Sequence, residues 1–151
     1  MKNIQRSYDK EYLQAAQDDM AAMFDVAVYF LNYKLYDFYS QFLKHDYSSR
    51  FAKGDPLIIW GKSGTEIAFE IANADIEDYI ERLNQRGLTS TRSPEYWAGW
   101  ALAYYQWYSG KNFSEINKSI DIDSIVHLYN PYHEMDILQF CDKMDSIIMS
   151  S

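Results

Sequence analysis

The 151-residue chain contains one cysteine, three prolines and six glycines. A single cysteine, Cys141, excludes a disulfide within the chain, and its neighbours Phe140 and Met144 predict a small core residue. So few prolines and glycines favour long helices over many short strands. The sequence also lacks an apolar run of membrane-spanning length and an apolar stretch of signal-peptide type at its N-terminus. We therefore expect a cytoplasmic protein that does not enter the membrane.

Basic residues are scarce relative to acidic ones. Fourteen Lys and Arg face 22 Asp and Glu, which gives a net charge of −8. A diffuse negative field repels nucleic-acid phosphates and attracts partners with a basic surface. The same charge also keeps a small protein soluble, so it does not by itself establish a partner.

Aromatic residues, by contrast, are abundant, at 17% of the chain. Seven of the thirteen positions between Tyr96 and Tyr108 carry rings: Tyr96, Trp97, Trp100, Tyr104, Tyr105, Trp107 and Tyr108. At 100° per residue these rings cover most of a helix surface, which is typical of a helix at the centre of a bundle. A narrower interpretation is that the end with Trp107, Tyr108 and Phe113 reaches the surface, where aromatic anchors dominate binding energy.

Local signals predict where several helices begin and end. Ser93 is a suitable N-cap and Pro94 a suitable first residue, so the aromatic helix is predicted over 94–108. Ser63 and Glu66 have the spacing of a capping box, and Gly87 is well placed to end the helix that they open.

The remaining pattern predicts an all-α fold. Further helices are expected over 7–32, 33–45, 114–119, 122–129 and 133–149. The join near Asn32 is either a kink or a short turn. A turn at 54–56 and a short extended segment at 57–60 are expected between helices. The sequence thus predicts one helical domain over 1–151, a compact bundle of about five to seven helices around the aromatic helix.

Motifs that would carry catalysis are incomplete. The tripeptide 61–63 resembles the end of a phosphate-binding P-loop, but Pro56 stands where that motif needs glycine. His133-Glu134 resembles half of a zinc-protease motif, yet the second histidine is replaced by Ile137. Paired carboxylates arise by chance in so acidic a chain. We therefore predict no catalytic, cofactor-binding or metal-binding residues, no cofactor, and a protein that is not an enzyme.

One pattern favours DNA binding. Residues 105–116 resemble the turn and the second-helix start of a helix-turn-helix. The segment that follows, 117–123, contains one lysine and two aspartates, whereas a recognition helix presents several basic or amide side chains to the groove. A DNA-binding regulator is accordingly a secondary hypothesis, and nucleic acid is an unfavoured partner.

The segment 93–110, SPEYWAGWALAYYQWYSG, resembles a family of short uncharacterised bacterial proteins. The similarity continues through Phe113, Ile116, Leu128-Tyr129 and 131–134. Members of that family are encoded near toxin-like genes, including ADP-ribosyltransferase-like ones, so the resemblance implies an antitoxin. The family brings no established catalytic residues, and none is assigned here.

Together these observations predict a protein–protein interaction module, an antitoxin-like inhibitor of a toxin or other enzyme with a basic surface. The expected contact residues are large or polar groups near predicted helix ends: Trp60, Trp107, Tyr108, Tyr132, His133 and Glu134. The alternatives are an acidic nucleic-acid mimic of phage or mobile-element origin and the helix-turn-helix regulator. The oligomeric state stays open.

Overall fold

The computed structural model describes residues 5–86 and 93–150, and the regular elements in this part are all helical. Within these two described stretches a 3₁₀ turn, Lys10–Tyr12, precedes eleven α-helices. They are α1 (Leu13–Tyr29), α2 (Leu35–Lys44), α3 (Asp46–Ala52), α4 (Pro56–Ile59), α5 (Gly64–Ala72), α6 (Ile76–Arg86), α7 (Pro94–Ser109), α8 (Phe113–Ser119), α9 (Ile122–His127), α10 (Tyr129–Tyr132) and α11 (Ile137–Ser150). The predicted all-α class is confirmed.

The predicted number of five to seven helices is wrong, because short capped helices lie between the long ones. The segment 57–60, expected to be extended, belongs largely to helix α4. Pro56 takes its first helical position, and the Asp55 carboxylate accepts a hydrogen bond of 2.9 Å from the Leu57 amide. This polar cap begins a helix where the apolar run alone predicted an extended segment.

The final helix also begins later than predicted, at Ile137 rather than His133. The Asp136 carboxylate accepts a hydrogen bond of 2.8 Å from the Leu138 amide and so defines the new start. Residues Tyr129–Tyr132 form the separate helix α10, which contains a non-helical Asn130.

The first long helix is shorter than the predicted 7–32. It begins at Leu13 and ends at Tyr29, and Asn32 adopts a left-handed conformation with φ of 62° before α2 begins. The join is therefore a turn rather than a kink, since a left-handed residue cannot continue an α-helix.

The predicted caps are largely confirmed. Both hydrogen bonds of the Ser63–Glu66 capping box form. Ser93 caps α7 by accepting from the Tyr96 amide at 3.0 Å, and Gly110 ends it in a left-handed conformation with φ of 74°. The single helix predicted from Ser63 to Gly87 is divided, because Asn73 adopts a left-handed conformation with φ of 55° and ends α5 before α6 begins. Gly87, its expected stop, lies outside the described residues.

Helices α1 and α7 lie antiparallel at the centre of the molecule. The Ser7 amide donates to the Trp107 carbonyl at 3.0 Å, and at the other end the Ser93 hydroxyl donates to Asp25 at 2.6 Å. The two helices pack closely because Gly99 faces α1 and has no side chain. A Cβ atom at position 99 would lie 2.7 Å from the Met20 carbonyl carbon. The aromatic helix is therefore central, as predicted.

Rings and aliphatic side chains from most helices fill the core. The fully buried aromatic residues are Tyr105, Phe24, Phe38, Phe42, Phe51, Phe113 and Phe140. Cys141 is buried among them as a free thiol, which confirms its predicted place in the core. In the part of the chain that the structure describes, no helix combines the length and apolar character needed to cross a bilayer.

Candidate functional site

A cleft of about 240 Å³ opens between the start of α7 and helix α10. Its lining residues, which we call the aromatic cleft, are Ser93, Tyr96, Trp97, Trp100, Tyr129 and His133. Five of the six carry rings. The volume lies below the roughly 300–1,000 Å³ of pockets for drug-sized ligands, so the cleft suits a group about as large as one side chain.

The spacing of residues on α7 creates one wall. Tyr96, Trp97 and Trp100 are neighbours on the first turns of the helix, since residues three and four apart share a face. Trp97 is only 9% exposed, and it packs edge-to-face on Tyr129 at 5.9 Å and on Phe140 at 5.3 Å between ring centroids. The wall is therefore held by the core beneath it.

Helix α10 supplies the opposite wall. The rings of Tyr129 and His133 stack with a centroid distance of 3.8 Å and an angle of 3° between their planes. His133 Nδ1 lies 2.6 Å from the Tyr129 carbonyl oxygen. This hydrogen bond and the stacking fix the imidazole in place, so this wall is also preorganised.

Two of the lining residues each contact a carboxylate. Asp25 accepts the hydrogen bond from the Ser93 hydroxyl at 2.6 Å, and Glu134 Oε1 lies 3.5 Å from His133 Nε2. In the first turn of α7, Glu95 accepts a hydrogen bond of 2.5 Å from the Tyr29 hydroxyl, which raises the pKa of Tyr29 to about 12. The six lining residues include neither lysine nor arginine. Ring faces and carboxylates both favour a positively charged ligand.

Three of the six predicted contact residues lie at or beside this cleft. His133 lines it, Glu134 is exposed at its border, and Tyr132 packs on Phe140 at 6.5 Å between centroids. Their grouping as partner contacts stays a prediction.

Trp107 and Tyr108 lie near the other end of α7, about 15 Å further along the helix axis than Trp97. Trp107 is 7% exposed, and its indole nitrogen donates to the Tyr8 carbonyl at 2.8 Å. Phe113 is also buried. The expectation that Trp107 and Phe113 reach the surface is wrong, because the N-terminal segment and the core cover them. Tyr108 is half-buried, with the Arg6 guanidinium 4.1 Å from its ring centroid.

Trp60 is the most exposed of the predicted aromatic contacts, at 57%. It lies at the end of α4, packs on Tyr12 at 4.4 Å between centroids, and follows Leu57, which is 71% exposed. Residues three apart lie on one face of a helix. Leu57 and Trp60 therefore form a second apolar surface, which we call the α4 face.

Sequence reasoning assigned Tyr96, Trp97 and Trp100 to the core and missed their role as walls of a cleft. The available signal was the spacing of 93, 96, 97 and 100 on one face of a helix that begins at a cap. Tyr129, which closes the cleft, gave no such signal. Its position depends on how α10 packs against α7.

The motif residues are occupied in structural roles. Ser63 caps α5, and Lys62 Nζ lies 2.8 Å from a Glu70 carboxylate oxygen. Burial raises the pKa of the Cys141 thiol to about 12, so this sulfur is not a nucleophile at neutral pH. Within residues 5–86 and 93–150, no group of three or more His, Cys, Asp or Glu side chains could hold a metal ion.

The turn at 110–112 does join two helices, as the helix-turn-helix hypothesis requires. The second helix, α8, has seven residues and exposes Ser114, Glu115, Asn117 and Lys118. One acidic and one basic side chain make a weak surface for a DNA groove.

A partly buried carboxylate in the seam between α1 and α5 makes stability depend on pH. Burial is the main reason that the pKa of Asp19 rises from 3.8 to about 7, and the nearby charges of Asp18 and Glu66 add to it. Its Oδ2 atom is buried and finds no hydrogen-bond partner among the described residues.

Between about pH 4 and 7 the folded protein holds a proton on Asp19 that the unfolded chain has lost, so stability should fall as pH rises through this window. Asp19→Asn should weaken this fall and stabilise the protein at pH 8. Thermal unfolding from pH 4 to 8 measures both effects, with exposed Asp18→Asn as the control. An unchanged slope in Asp19→Asn would contradict this assignment.

No family model, curated protein or solved structure matches this chain.

Proposed function

We propose that this chain is a binding protein rather than an enzyme, and that it acts in the cytoplasm as an antitoxin-like inhibitor of an enzyme with a basic surface. The observation that carries the proposal is the aromatic cleft, two of whose lining residues each contact a carboxylate, on a chain of net charge −8. Packed aromatic residues inside a polar rim are the arrangement from which protein interfaces draw much of their binding energy.

The charge supports the choice of partner. Complementary charge raises the rate at which a basic protein meets an acidic one, and the rings then determine how slowly the two separate. A protein of this size that covers the active-site entrance of its partner would inhibit without any chemistry of its own. The resemblance of segment 93–110 to antitoxin-like proteins points to the same role.

The direct experiment is co-expression with the neighbouring gene, followed by co-purification and a test of growth rescue. We expect a stoichiometric complex and recovery of growth. Affinity purification from the native host is the independent measurement, and recovery of no stoichiometric protein partner there would refute the proposal. A captured partner that DNA displaces would instead favour the nucleic-acid mimic, and a salt-sensitive gel shift on the chain's own promoter would favour the DNA-binding regulator.

The α4 face gives a second test of the interface. Trp60→Ala is expected to weaken the complex by about 2 kcal/mol or more, because exposed tryptophans are enriched among the residues that dominate binding. Isothermal titration calorimetry with the purified partner measures the change. Tyr36→Ala is the matched control, since Tyr36 is 53% exposed on α2 but was not predicted to contact a partner. Equal losses of affinity in both variants, or no loss in Trp60→Ala, would show that the α4 face is not part of the interface.

A further inference from the structure

We infer that the aromatic cleft receives an arginine side chain from the partner protein. The inference deepens the proposed function, on which the identity of the partner as a protein rests. The chemistry of the site can nevertheless be tested with the purified chain alone.

The shape of the cleft matches a flat, cationic group. Tyr129 and His133 form a parallel stack, and Trp97 meets Tyr129 at 77°. The stacked faces of Tyr129 and His133 cover each other, and Trp97 is buried. A planar guanidinium would therefore lie on the half-buried rings of Tyr96 or Trp100 and meet the edge of the stack. Arginine stacks on aromatic faces in this way more readily than lysine, whose ammonium is compact and strongly hydrated.

A carboxylate lies next to one lining residue of each wall. Asp25 is linked to the α7 wall through Ser93, and Glu134 to the α10 wall through His133. An ionised carboxylate can accept about four hydrogen bonds, so a carboxylate already bonded to a serine hydroxyl retains the capacity to accept from a guanidinium. Arginine has five N–H donors in a fixed fork, which allows one side chain to reach both walls.

An anion is disfavoured at this position, although the cleft lies at the N-terminal end of α7. Ser93 itself caps the Tyr96 amide, Pro94 has no amide hydrogen to offer, and Glu95 places a negative charge in the first turn. The positive end of the helix dipole is thus already compensated by the chain itself.

The size of the cleft is consistent with a single side chain. Its volume of about 240 Å³ is too small for a nucleotide or a typical drug-sized ligand. A small group therefore fits best, and we take it to be a cationic side chain because no lining residue is basic and the chain is acidic.

The test titrates the ¹⁵N-labelled full chain with N-acetyl-arginine amide and follows the four tryptophan indole signals by NMR. Saturable shifts are expected for Trp97 and Trp100, which line the cleft, but not for Trp60 and Trp107, which do not. N-acetyl-citrulline amide has nearly the same shape without the charge, and we expect it to bind about tenfold more weakly. Equal binding of the two probes, or no saturable shift at Trp97 and Trp100, would overturn the inference.

Two variants test whether residues at the cleft contribute to binding of the arginine probe. Trp100→Leu should weaken the arginine probe about fivefold, provided that its circular dichroism shows a folded protein. Glu134→Gln changes a well-exposed side chain, so it leaves folding intact, and it should weaken the probe about threefold with a smaller salt dependence. Trp60→Ala is the control and should bind like the unmodified chain. Unchanged affinity in both cleft variants would show that the probe binds elsewhere.

The two proposals fail separately. A stoichiometric partner together with no binding of the arginine probe would leave the proposed function standing and refute the cleft. Specific binding of the probe with no recoverable partner would refute the proposed function and leave a guanidinium site.

Discussion

Replacing Trp107 by alanine is expected to lower the free energy of unfolding by about 3–5 kcal/mol, the cost of removing a large buried aromatic side chain. Trp107 is 7% exposed, and its indole nitrogen donates to the Tyr8 carbonyl at 2.8 Å. The variant would lose the apolar burial and leave that carbonyl without its donor. Because Arg6 also lies 5.4 Å from the Trp107 ring centroid, the N-terminal segment should loosen as well.

Chemical denaturation with urea measures this loss, and Trp60→Ala is the matched control. Trp60 is 57% exposed and packs on Tyr12, so its removal should cost about 0.5–1.5 kcal/mol of stability, well below the loss at Trp107, while it weakens binding to the partner. The pair separates a tryptophan that holds the fold together from one that contacts a partner. If Trp107→Ala unfolds at the same urea concentration as the unmodified chain, Trp107 is not the core residue described here.

Gly99→Ala is expected to destabilise the protein by about 1–3 kcal/mol, the usual range for overpacking a well-packed interior. The direction of the stability change is informative, because replacing glycine by alanine at a solvent-exposed helix position would instead stabilise the helix by about 1 kcal/mol. A methyl group at 99 would lie 2.7 Å from the Met20 carbonyl carbon and 2.9 Å from the Ala21 nitrogen. Backbone atoms cannot rotate away, so α1 and α7 must move apart.

The thermal unfolding midpoint reports this change. Asn117→Ala, at an exposed position of α8, is the control for helix propensity alone and should raise stability by a few tenths of a kcal/mol. A rise of similar size in Gly99→Ala would mean that the two central helices are not in close contact. Since Gly99 lies between Trp97 and Trp100, the variant should also disturb the aromatic cleft.

Helix α7 shows how much local sequence can predict. Ser93, Pro94 and Gly110 each act through their own backbone and nearest neighbours, so the start and the end of this helix follow from short-range chemistry. The capping box at Ser63 and Glu66 was predictable for the same reason. Helix α4 and the late start of α11 were missed because single aspartate caps, at Asp55 and Asp136, outweighed the apolar pattern.

The candidate site was predictable only in part. His133 and Glu134 could be named as contacts because they are polar groups near a predicted helix end. The cleft itself needs Tyr129 to face Trp97, and these residues are separated by helices α8 and α9. No local pattern encodes the contact between Tyr129 and Trp97, since it depends on where the intervening helices bury their apolar faces.

Composition, charge and cap chemistry alone determined that this is an acidic helical chain built around an aromatic helix, because each depends on residue identity or on contacts a few residues apart. Tertiary structure decided which rings are covered and which remain open: Trp107 lies under the N-terminal segment, and Trp60 stays exposed. It also brought Ser93, which is bonded to Asp25, and His133, which lies beside Glu134, to one cleft. The physical reason is that burial is a property of packed surfaces, which form only when distant helices meet.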